Sequence, residues 1–91
     1  MTFLMYGRYS PAALEKMTAQ RTKKAVELIK KSGGAVQAMY ATLGEHDLVF
    51  VLDLPGVEDA MRVSVALGKL TGIGFTTAPA VSVAEFDKLT G

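Results

Sequence analysis

The stretch AVQAMYATLGEHDLVFVLDL, residues 35–54, commits the chain to a hairpin. Two runs of β-branched, aromatic and large aliphatic residues flank the polar pair Gly44-Glu45. That pair is a two-residue turn, and the flanking runs read as strands 35–43 and 46–54. A lone hairpin is marginal in water, so these strands need further strands and a covering layer. The rest of the chain supplies both.

TFLMYGRY (2–9) reads as a strand rich in aromatic and large apolar residues. Ser10 then caps a helix with Pro11 in its first turn. Thr18 can cap a second segment, so the helix bends or restarts near Met17–Thr18. In that segment Ala25, Leu28, Ile29 and Ser32 share a stripe, while Lys23, Lys24, Glu27, Lys30 and Lys31 face water. Gly33-Gly34 ends it. Pro55-Gly56 breaks the second hairpin strand, and residues 57–71 form a helix with Val57, Ala60, Met61, Ser64 and Leu67 on one stripe. Met39 and Met61 read as core filler. After Gly72, residues 73–83 form a last strand, and the tail from Ala84 has room for one helical turn.

The order is strand, helix, strand, strand, helix, strand. With right-handed crossovers this is an α+β, ferredoxin-like βαββαβ domain spanning residues 1–91. Its four-stranded antiparallel sheet takes the order 4-1-3-2, with two helices on one face. The two most apolar strands, first and third, become central. Pro79 cannot donate to a ladder, which sends the fourth strand to an edge.

Alternation then sorts side chains onto two faces. A turn at Gly44-Glu45 pairs Leu43 with His46, Thr42 with Asp47 and Tyr40 with Val49. His46, Leu48, Phe50, Leu52 and Leu54, with Met39, Ala41 and Leu43, go under the helices. Asp47, Val49, Val51 and Asp53 go to the open face with Val36, Ala38, Tyr40, Thr42, Leu4, Tyr6 and Arg8. That face is apolar yet has no helix to cover it, so the chain is expected to form a homo-oligomer through it. Tyr6, Arg8, Tyr40, Thr42 and Asp47 gather on this face as candidate small-molecule ligands, with an ion pair expected between Arg8 and Asp47. His46 is a further candidate, its ring expected on the helix side.

Composition removes several function classes. The formal net charge is +1, which gives nucleic acid or an anionic membrane nothing to hold. There is no cysteine, hence no disulfide framework and no thiolate chemistry. One histidine without a second or a cysteine makes a poor metal site, so neither metal nor cofactor is expected. ALGKLTGIG lacks the spacing of a phosphate loop. MTFLMYGRYS is too short and mixed for a signal peptide, and no apolar run reaches membrane-spanning length, so a cytoplasmic protein is expected.

The paired glycines after the first helix, Tyr40 in the second strand, the turn residues and Glu85-Phe86 together resemble the GYD domain family, from about Tyr6 to Phe86. The motif that names that family is here Gly44-Glu45-His46-Asp47, with histidine where tyrosine is usual. The resemblance implies a ferredoxin-like fold and no established activity. A looser similarity links the hairpin to the effector-binding module of leucine-responsive regulators, which holds small amino acids between subunits. Three function classes follow. The first is a homo-oligomer binding a small molecule at a subunit interface. The second is an enzyme of the dimeric α/β-barrel type with His46 or Tyr40 as acid–base group, its other catalytic groups unknown. The third is a structural or assembly protein.

Overall fold

The computed structural model describes residues 1–91. The elements are β1 (Thr2–Arg8), α1 (Pro11–Glu15), α2 (Ala19–Lys31), β2 (Ala35–Ala41), β3 (Leu48–Asp53), α3 (Val57–Thr71), β4 (Gly74–Ala80) and α4 (Val83–Thr90). All sheet neighbours are antiparallel, in the order β2-β3-β1-β4. This is 4-1-3-2 read from the other edge, the ferredoxin-like arrangement, with β1 and β3 central and Pro79 on the edge strand β4.

The break between α1 and α2 falls where two caps demand it. Ser10 Oγ accepts the Ala13 N–H at 3.0 Å, and Thr18 Oγ1 accepts the Arg21 N–H at 3.1 Å. Phe3 and Met5 of β1, with Phe50 and Leu52 of β3, pack beneath Ala25 and Ile29 of α2 and Ala60, Val63 and Leu67 of α3. The lysines of α2 all face water.

Three expectations are corrected. Val36 belongs to the helix side, because a bulge at Gln37 adds a residue to β2: Val36 pairs with Leu52, but Ala38 pairs with Val51. In α3 the buried stripe is Ala60, Val63, Leu67 and Thr71, which leaves Met61 on the outer surface rather than in the core. The tail is also longer than one turn. Ser82 Oγ caps α4 through the Glu85 N–H at 3.1 Å, and no residue of α4 is buried. No helix is long and apolar enough to cross a membrane.

Candidate functional site

The 42–47 connection is longer and less regular than a two-residue hairpin. Strand pairing stops at Ala41–Leu48, and Gly44 turns the chain at φ +113°. The Thr42 N–H still donates to the Asp47 carbonyl at 2.8 Å, as expected from the register. Thr42 Oγ1 donates to the His46 carbonyl at 2.5 Å and closes the loop. Leu43, expected under the helices, is wholly exposed at the tip.

His46 therefore escapes the alternation that put it on the helix side. Its ring centroid lies 4.7 Å from that of Tyr6, with the planes tilted by 37°. Tyr6 alternates with the buried Met5 and Gly7, so the stack sits on the open face. Nδ1 of His46 is buried without a hydrogen-bond partner. Replacing His46 by Tyr keeps an aromatic ring over Tyr6 and removes that orphan atom. The expected change in stability is under about 1 kcal/mol, whereas His46→Ala loses the stack and about 0.5–1.5 kcal/mol. Thermal unfolding of the three proteins checks this ordering.

Asp47 holds backbone. Its N–H donates to the Gly7 carbonyl at 2.9 Å, and its Oδ2 accepts the Tyr9 N–H at 2.8 Å. The carboxylate thus extends the β3–β1 ladder past its last paired residue and fixes where Tyr9 leaves the sheet. The expected ion pair with Arg8 is absent. Arg8 stays exposed, and the ion pairs of the protein join Arg62 to Glu58 and Asp59. A carboxylate aimed at the Tyr9 amide does not turn to a cation in water, where a pair is worth little. Asp47→Ala leaves the Tyr9 N–H without its acceptor, an expected loss of about 1–3 kcal/mol. Asp47→Asn retains an acceptor oxygen and should lose less. Urea denaturation of Asp47→Ala, Arg8→Ala and the double variant should give additive effects.

The concavity with the most apolar lining lies on the other side of the sheet. A cavity of about 140 Å³ opens between the sheet and the helices, and 11 of its 14 lining residues are hydrophobic. Its floor is Met39, Leu48, Phe50 and Phe75, and its roof is Ala25 and Leu67. Tyr9, Met17 and Arg21 wall it where β1 passes into α1 and α2. Tyr9 Oη donates to Met17 Sδ at 2.8 Å. Arg21 Nη1 donates to the Ala13 carbonyl at 2.7 Å and reaches that of Thr71 at 3.5 Å, tying α1 to the end of α3. Of the six residues picked from the sequence, Tyr40 alone borders this cavity. Tyr6 and His46 stack on the opposite face, Thr42 and Asp47 serve the connection, and Arg8 stands apart.

Sequence reasoning missed Tyr9, Met17 and Arg21. A signal for Arg21 was present. It stands four residues before Ala25 and eight before Ile29, both buried, so it continues the inward stripe of α2 rather than its lysine face.

Asp47, the aspartate of the Gly44–Asp47 turn, sets the course of the segment that walls the cavity. Among curated proteins nothing matches the chain at a significant level. The model of the GYD domain matches residues 3–90, nearly the whole chain. The protein belongs to the GYD domain family.

Proposed function

We propose that this protein is a homo-oligomer that binds a small molecule in the cavity between sheet and helices. The observation that carries this reading is the cavity itself, about 140 Å³ and lined mostly by apolar side chains. A dry apolar cavity of about 150 Å³ in another protein binds benzene, so this volume suits one small ring or a compact branched chain. Ligand sites combine such apolar walls with a few polar groups, here Tyr9, Arg21 and Thr71.

The open face supports the oligomer. Leu4, Val49 and Val51 form an apolar centre on the side of the sheet away from α2 and α3, with Tyr6 beside them and Tyr40 on the edge strand β2, where it also borders the cavity. A second copy covering this face would bury the Tyr6–His46 stack at the subunit interface. Sedimentation equilibrium at micromolar concentration should give a mass above that of one chain, and a monomer would refute the oligomer. Toluene should raise the midpoint of thermal unfolding. No shift with toluene at saturation in water would refute binding in the cavity.

A further inference from the structure

The cavity carries one charge, and that charge is unanswered. Arg21 is the single ionisable group of fixed charge among the lining residues. It is half-buried, and no carboxylate lies within ion-pairing distance of it. Nη1 meets two backbone carbonyls, while Nε and Nη2 donate to nothing within the protein. Removing a guanidinium from water without an anion is costly, and carbonyl dipoles offset that only in part. Arg21 also stands in the first turn of α2, behind the Thr18 cap, where the helix adds positive potential of its own. Next to it, the Tyr9 hydroxyl rests on a thioether, a weak acceptor that a stronger one would displace.

Resting on the cavity reading above, we propose that the ligand is a small monocarboxylate whose apolar part is about the size of a benzene ring, its carboxylate bound by Arg21. The planar fork of a guanidinium matches two carboxylate oxygens. The apolar lining takes the ring or branched chain. A phosphate ester fits less well, because a hydrated dianion needs more donors than this wall offers.

The probes are benzoate and two neutral isosteres, toluene and benzyl alcohol, titrated into the full-length protein and followed by calorimetry and by thermal shift. Benzoate should bind the parent protein about tenfold more tightly than either neutral probe. In Arg21→Gln that preference should vanish, with toluene affinity changed by less than about twofold. Arg21→Lys, which keeps the charge without the fork, should retain part of it. Toluene binding with benzoate no tighter overturns the carboxylate assignment and leaves the cavity reading standing. Failure of all three probes overturns both. An unchanged benzoate preference in Arg21→Gln overturns the role of Arg21. The comparison of probes on the parent protein requires no variant to fold.

Discussion

Leu52→Ala should lower stability by about 3–5 kcal/mol, the range for a large aliphatic side chain deleted from a sealed core. Leu52 is fully buried on β3, paired on one side with Phe3 of β1 and on the other with Val36 of β2. It lies in the cluster that joins the sheet to Ile29 of α2 and to Val63 and Leu67 of α3. Both neighbouring strands are held by ladder hydrogen bonds, so the space cannot collapse cheaply. Val65→Ala is the matched control. Val65 is 58% exposed on the outer side of α3, and its loss should change stability by less than about 0.5 kcal/mol. Urea denaturation of both variants gives the two numbers. A loss below about 1 kcal/mol for Leu52→Ala would mean that α2 and α3 do not seal this face of the sheet.

Gly34→Ala should cost about 3 kcal/mol, at the upper end of what overpacking usually costs. Gly34 sits where α2 gives way to β2, and its N–H donates to the Ile29 carbonyl at 3.1 Å. A Cβ there would stand 2.8 Å from the Asp53 carbonyl oxygen, 3.2 Å from that of Ile29, and against the Leu54 side chain. The leucine could rotate away. The two carbonyl oxygens are backbone and cannot. Gly33, beside it, has φ +83° with only a Pro55 atom near its missing Cβ. Its substitution meets conformational strain rather than a clash, so Gly33→Asn, which tolerates that region, should cost about 1 kcal/mol or less. Equal losses in Gly33→Asn and Gly34→Ala would contradict the account of this corner.

The frame of the fold was legible because independent signals agreed. Strand composition put β1 and β3 in the centre, and Pro79 put β4 at an edge. The Ser10 and Thr18 caps divided the first helical region. What failed was alternation carried past its support. It holds only while a residue stays in a ladder, and the ladder ends at Leu48, so His46 and Leu43 went to the wrong side. The bulge at Gln37 leaves no mark in composition, yet it moved Val36 across the sheet. The cavity was illegible for another reason. Its walls come from the end of β1, the α1–α2 junction, the start of β3 and the end of α3. No local pattern links those segments. Arg21 could have been found, being the one cation of α2 on the inward stripe.

The most direct test of the central claim is where a small apolar probe goes. Methyl-labelled protein titrated with toluene reports both faces of the sheet in one nuclear magnetic resonance experiment. Leu48, Leu67 and Ile73 line the cavity, and Leu4, Val49 and Val51 lie on the open face. Binding in the cavity predicts shifts of the Leu48, Leu67 and Ile73 methyl signals that saturate together, with those of Leu4, Val49 and Val51 unmoved. Saturating shifts at Leu4, Val49 and Val51, with the cavity methyls silent, would contradict it.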